Sequence, residues 1–120
     1  MAIQEAAVGM SRSSGALMTE SMFRVLAALG DPLHGYGIMQ RIREESGGTA
    51  VIGPATLYAA LTQLEAMGFI RRAGEPEDAR GRQRYEITGA GRRALADEAR
   101  RFEALARTGL AAARRGDNHD

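Results

Sequence analysis

The chain has no Cys, no Lys and no Trp, and only two His, His34 and His119. Each absence closes off a chemistry. Without Cys there is no disulfide framework, no thiolate metal site and no thiol nucleophile. Two His far apart in sequence do not make a histidine metal cluster. No apolar run approaches the roughly 20 residues of a membrane span. The first residues, MAIQEAAVGM, carry no basic stretch followed by an apolar segment, so no secretory signal is expected. The glycines between 47 and 53 fit neither G-x-x-x-x-G-K-[ST] nor G-x-G-x-x-G, so no phosphate loop is expected. His34 stands between Leu33 and Gly35 with no Ser or carboxylate motif around it, and reads as a turn histidine. These exclusions leave a soluble cytoplasmic protein that is not an enzyme and needs neither metal nor cofactor.

The commonest residues are Ala and Arg, 22 and 16 of 120, a usage that points to a GC-rich bacterial genome. Setting Ala aside, 31 large apolar residues remain, 27 of them between Leu17 and Arg115. That suffices for one modest core in one domain. Net charge is +1 and the pI about 8.3, short of the pI above ~9 of a plainly basic nucleic-acid domain. The distribution says more than the total. Residues 1–60 hold 4 Arg against 5 acids, whereas residues 80–93 hold 5 Arg against the single acid Glu86. That cluster is either an electrostatic footprint or an ordinary solvated face.

Residues 1–16 show no lasting periodicity and are expected to form a flexible N-terminal arm. Thr19 caps a first helix, with Glu20 at its positive end and Met22, Val25, Leu26 and Leu29 at helical spacing. Gly30-Asp31-Pro32 ends it. A second helix follows Leu33-His34-Gly35, its apolar stripe drawn from Tyr36, Met39, Ile42 and Ile38, and Gly47-Gly48 stops it. Ala50-Val51-Ile52 reads as a stub of strand. Pro54 opens a third helix at the position where its missing N–H is tolerated. Leu57, Leu61, Leu64 and Met67 bury one face, and Thr56, Tyr58, Ala59, Thr62 and Gln63 make the other face small, polar and uncharged. Residues 69–73 and 82–88 read as a hairpin with an Arg80-Gly81-Arg82 corner, Tyr85 and Ile87 facing inward, Arg84 and Glu86 outward. Leu57, Leu61, Leu64, Ile70, Tyr85 and Ile87 are the expected core. Thr88 starts a long helix over 89–115, with Asp97–Arg101 and Glu103–Arg107 as acid-before-base pairs four apart. Residues 116–120 are expected to be a disordered tail.

Helix, helix, helix, hairpin, helix is the order of a winged helix-turn-helix, mainly α with a small β-hairpin, occupying residues 17–88 ahead of a dimerisation helix over 89–115. Two short helices on a tight connection cross steeply. A third helix with a small polar face fits the DNA major groove, about 12 Å wide. Arg82 and Arg84 on the hairpin would then reach phosphates or the minor groove, although Arg84 has Glu86 or a neighbouring strand as an alternative partner. Arg41 is a further cation within reach. Gln63 is placed either to read an adenine through a bidentate pair or simply to meet solvent. The long helix outruns so small a domain, and its stripe of Leu95, Ala99, Phe102, Ala106 and Leu110 calls for a partner helix.

HGYGIMQRI (34–42), GPATLYAALTQLEAMGFI (53–70) and RYEITGAGRRAL (84–95) resemble the PadR family of bacterial transcriptional regulators, over about residues 17–115. The short single-helix C-terminus resembles the smaller subtype. The resemblance implies a homodimeric regulator, usually a repressor, whose first and last helices build the dimer and whose third helix enters double-stranded DNA at a near-palindromic operator. It puts Thr56 and Tyr58 on phosphates or base edges, with Thr62 further along the same helix, and Tyr36 near the DNA backbone. The alternatives are a Tyr58 ring packed under the wing and a Tyr36 ring in the core. It adds Met22 to the dimer interface. It also implies a small-molecule effector, apolar or aromatic, against Met18, Met22, Phe23, Phe102 and Leu105, a cluster that otherwise reads as plain dimer core. Some family members stack such ligands on a Trp, which this chain lacks. Gly53 replaces the usual capping Ser. The competing reading is a winged helix that docks on another protein and binds no DNA.

Overall fold

The computed structural model describes residues 18–74 and 82–119, with side chains as far as Gly116. The expected N-terminal arm and the Arg80-Gly81 part of the hairpin corner lie outside the described residues.

Helix α1 (Glu20–Ala28) starts as its sequence dictates. Thr19 Oγ1 accepts the Met22 N–H at 3.1 Å, and Arg24 closes back on Glu20 at 2.9 Å. Met22, Val25, Leu26 and Ala28 are buried along one face. After a two-residue strand β1 (Leu33–His34), α2 (Gly35–Glu45) buries Ile38 and Ile42. Gly47 and Gly48 adopt φ of 64° and 87°, a conformation open to residues without Cβ, and Gly48 N–H returns to the Arg43 carbonyl at 2.8 Å. Helix α3 (Pro54–Ala66) begins at Gly53 with no side-chain cap and buries Leu57, Ala60, Leu61 and Leu64. Strands β2 (Ile70–Arg72) and β3 (Arg84–Ile87) form the wing, and α4 (Gly89–His119) completes the described chain.

The three strands make one antiparallel sheet in the order β1-β3-β2. Leu33 pairs with Tyr85 and His34 with Arg84, while Ile70 pairs with Ile87, Arg71 with Glu86 and Arg72 with Tyr85. The six expected core residues are all buried, under the cover of α1 and α2.

Four expectations are revised. The extra strand is Leu33–His34, not Ala50–Ile52, which runs irregularly between α2 and α3. Two residues carry no periodicity, and only the distant partner Arg84–Tyr85 makes them a strand. Tyr36 leaves the apolar stripe of α2, where Ile38 and Ile42 fill the core, and stands 69% exposed. Asp97 pairs with Arg100 at 2.7 Å instead of with Arg101. Arg101 turns to Glu98, Nε to Oε1 and Nη2 to Oε2, both at 2.9 Å. Glu98 is fully buried, and a buried carboxylate captures whatever cation can reach it. Helix α4 runs to His119, past the residues read as a tail, and is roughly 46 Å long at ~1.5 Å per residue. A single Gly116 weakens a helix by about 1 kcal/mol relative to Ala and does not by itself end one.

The start of α4 is locked to the wing. A Cβ on Gly91 would collide with the Phe69 carbonyl oxygen and lie 2.8 Å from Ile87 Cγ1. Gly91→Ala should therefore destabilise the fold by roughly 1–3 kcal/mol through overpacking against backbone that cannot yield. Gly109→Ala, in the same helix with nothing within 4 Å of the added methyl, should be neutral or stabilising by up to ~1 kcal/mol. Urea unfolding of the two variants checks this, and equal midpoints would mean the α4–β2 approach is loose in solution.

Burial also raises the Tyr85 phenol above its ordinary pKa of 10.0, opposed by nearby Arg72 and reinforced by Glu65 and Tyr58. A raised folded-state pKa favours the folded form fully below pH ~10, and that contribution is lost as pH rises through the folded value. With no Lys or Cys in the chain, tyrosines are the only side chains changing charge between about pH 9 and 12. The urea midpoint should fall above pH ~10, and Tyr85→Phe should remove most of that fall. An unchanged alkaline slope in Tyr85→Phe would place the titration elsewhere.

Candidate nucleic-acid interface

The outward face of α3 is laid bare by the burial of its leucines. Thr56, Tyr58, Thr62 and Gln63 are all exposed, and no charged side chain stands among them. Pro54 starts the helix without a side-chain cap, and the Gly53 carbonyl accepts the Leu57 N–H at 2.9 Å. Thr62 Oγ1 donates to the Tyr58 carbonyl at 2.9 Å. Its hydroxyl proton is thus used within the helix, and its oxygen faces outward as an acceptor.

Tyr58 and Tyr36 come together at one edge of this face. The Tyr58 hydroxyl lies 2.6 Å from where a Gly35 Cβ would be, so it rests on the bare backbone at the start of α2. Any side chain at 35 would push the ring away. Tyr58 is 51% exposed, and its hydroxyl lies against α2. Tyr36 follows Gly35 directly and points to solvent. The exposure of Tyr58 follows from its place on the polar face of α3, whereas that of Tyr36 is not visible in the periodicity of α2, where it counts as an apolar residue at helical spacing. Arg41, one turn further along α2, is half-buried.

Strand β1 places the wing against this edge. Because Leu33–His34 pairs with Arg84–Tyr85, the root of the wing is hydrogen-bonded to the residues that begin α2. Arg82 and Arg84 are exposed on β3 and just before it, and both have partners within the protein. The wing carries two further arginines that were not singled out in the sequence. Arg71 Nε meets Glu86 Oε2 at 2.6 Å, and Arg72 Nε meets Glu65 Oε2 at 3.2 Å. Their signal was the run Phe69-Ile70-Arg71-Arg72 itself, read as strand and not as charge.

The residues expected at a dimer interface divide. Ala99, Phe102, Ala106 and Leu110 are exposed along α4, and Leu95 is partly buried. Met22 is 2% exposed and belongs to the protomer's own core, leaving it no surface for a partner. Phe102 is half covered by its own chain, its ring 5.1 Å from that of Phe23 with the Arg101 guanidinium 5.0 Å from its centre. Beside this pair lies an open groove of about 550 Å³ lined by Met18, Glu20, Phe23, Arg24, Arg101 and Phe102. It contains three of the five residues expected around an effector. Met22, buried in the core, and Leu105 do not line it. Among the described residues no His, Asp and Glu cluster could hold a metal, and no helix is long and apolar enough to cross a membrane.

Comparison with known proteins is consistent with this geometry. An uncharacterized 37.1 kDa protein of transposon TN4556 from Streptomyces fradiae is 44% identical over 82 residues, 67% of this chain and 22% of that protein. The transcriptional regulator Rv3488 of Mycobacterium tuberculosis is 43% identical over 56 residues, 47% of this chain and 52% of that protein. The chain thus spans about half or less of the length of the curated relatives it matches. A transcriptional regulator from Clostridium thermocellum superposes with a TM-score of 0.67 at 23% identity, covering 84% of this chain and 96% of its own. The Bacillus subtilis PadR solved in complex with operator DNA gives 0.55 at 25% identity, over 63% of this chain and 45% of its own. The family model for transcriptional regulators of the PadR-like type matches residues 25–97, from within α1 to the first third of α4. All three motif blocks of the sequence lie inside that span, and the chain belongs to the PadR-like family of transcriptional regulators.

Proposed function

We propose that the chain is a cytoplasmic, homodimeric, sequence-specific DNA-binding repressor, released from its operator by a small apolar or aromatic effector. The observation that carries the DNA reading is the exposed face of α3. It is free of charge and rich in hydroxyl and amide groups, and it is flanked by tyrosines on one side and an Arg-bearing wing on the other. Neutral donors and acceptors suit base edges, while arginines suit phosphates. Thr56, Tyr58, Thr62 and Gln63 take the groove, Tyr36 and Arg41 flank it on α2, and Arg82 and Arg84 reach the adjacent backbone from the wing. The likeness to a PadR bound to operator DNA supports the same orientation.

The homodimer is supported by α4. Phe102, Leu105 and Leu110 are 36%, 56% and 60% exposed on a helix that is exposed at every residue from Ala99 to Leu110. A two-fold pairing through Leu95, Ala99, Phe102, Ala106 and Leu110 would cover them. It would also set two α3 helices about 34–36 Å apart, one turn of DNA, which matches a near-palindromic site. The effector reading is supported by the groove beside Phe23 and Phe102, whose volume of about 550 Å³ suits a small ligand.

Fluorescence anisotropy with DNA from just upstream of the chain's own gene, beside a scrambled duplex, tests the central claim. Binding should be selective, with two protomers per site, and should fall with salt at a slope of about −0.9 per phosphate neutralised. Arg82→Ala should weaken binding to both duplexes and flatten the slope by about one. Gln63→Ala should cost ~1–3 kcal/mol on the selective duplex alone. No binding to either duplex at low salt would replace this reading with the protein-docking one.

Phe102→Ala should weaken the dimer by ~3 kcal/mol, on the order of a hundredfold in Kd. Analytical ultracentrifugation across a concentration series reads it directly, and an unchanged dimer would put the contact on another face.

A further inference from the structure

Two carboxylates sit on the wing's arginines. Glu86 stands opposite Arg71 in the β2–β3 register, on the side of the sheet away from Ile70 and Ile87, and takes its Nε at 2.6 Å. Glu65, in the last turn of α3, takes the Nε of Arg72 at 3.2 Å. The Arg71 and Arg72 side chains are 66% and 61% exposed. Ion pairs this open add only about 0–1 kcal/mol to stability. The buried Ile70–Ile87 pair and the ladder beneath already hold the strands together. The stronger consequence of the two acids is for the field that the wing presents to a polyanion.

Sequence-independent DNA affinity is a count of phosphates neutralised. An arginine held by a carboxylate must leave that partner to contribute, or bring a negative charge up to the phosphates with it. The chain has no Lys and a net charge of only +1. Among the described wing residues the cations are Arg71, Arg72, Arg82 and Arg84; all have partners within the protein, and for Arg71 and Arg72 the partners are the carboxylates of Glu86 and Glu65. Resting on the DNA reading above, we propose that Glu86 and Glu65 are specificity-determining residues, which hold Arg71 and Arg72 off the phosphates and so suppress binding to DNA of the wrong sequence.

The isosteric variants Glu86→Gln and Glu65→Gln in the full chain test this by anisotropy on a scrambled duplex and on the upstream duplex, in a salt series. Each should bind the scrambled duplex roughly tenfold more tightly near 50 mM salt, with the slope steeper by about 0.9. The selective duplex should gain less, so discrimination narrows. Adding Arg71→Gln to Glu86→Gln, or Arg72→Gln to Glu65→Gln, should cancel the gain. A merely structural role predicts the opposite sign, weaker binding with a lowered melting temperature. Unchanged or weaker scrambled-duplex binding by the variants, beside a wild type that binds, would overturn the proposal. No binding by the wild type or any variant to either duplex would overturn the DNA reading and this proposal with it.

Discussion

The structure turns on the junction where the wing ends and α4 begins. Thr88 Oγ1 donates to the Gly68 carbonyl at 2.7 Å and accepts the Gly91 N–H at 3.0 Å, while Thr88 N–H donates to the Phe69 carbonyl at 2.9 Å. One residue therefore caps the long helix, closes the exit of β3 and grips the turn that follows α3. Gly91 lets the helix backbone come up against Phe69 itself. The angle at which α4 leaves the domain, and with it the separation of the two α3 helices in the proposed dimer, is set by this contact.

A second constraint acts at the opposite end of β3. Strand β1 has only two residues, but its pairing with Arg84 and Tyr85 ties the wing to the first residue of α2. The same region is where Gly35 gives room to the Tyr58 hydroxyl. The start of α2, the outward face of α3 and the root of the wing are thus one connected surface. The proposed DNA reading depends on a shell this fixed, because a base contact loses its value once its donor can wander.

Much of this was legible in the residues. The leucine spacing of α3, the alternation of 84–87 and the Thr caps of α1 and α4 are local signals, and the core follows from them. What escaped depends on distance in the chain. Leu33–His34 is a strand only because of residues fifty positions away. Tyr36 fits an apolar stripe by spacing but lies just past the edge of the core. Glu98 sits in ADEARRFE, a stretch that reads as solvated. Its burial follows from how closely Thr88 and Gly91 bring α4 down onto the domain. Once buried, it takes Arg101 from Asp97. The hydroxyls and amides of the candidate site were legible as a polar face. Which of them are already spent inside the protein, such as the Thr62 proton, was not.

The burial pattern of α4 also separates what the domain needs from what it offers. Glu98 is the last fully buried residue of the helix, and the family match ends at residue 97. Beyond it the helix continues to His119, and as far as Gly116 its side chains are almost wholly exposed. Gly109 and Gly116 each weaken such a stretch by about 1 kcal/mol relative to Ala, and most helical stability in proteins comes from packing of an apolar face. The ion pair Glu103–Arg107 at 3.7 Å adds little to its stability. Its Phe102, Leu105 and Leu110 become a source of stability only when something covers them. The domain up to Glu98 supplies its own core, and the remainder of α4 contributes little to that core and carries the apolar residues on which the proposed pairing rests.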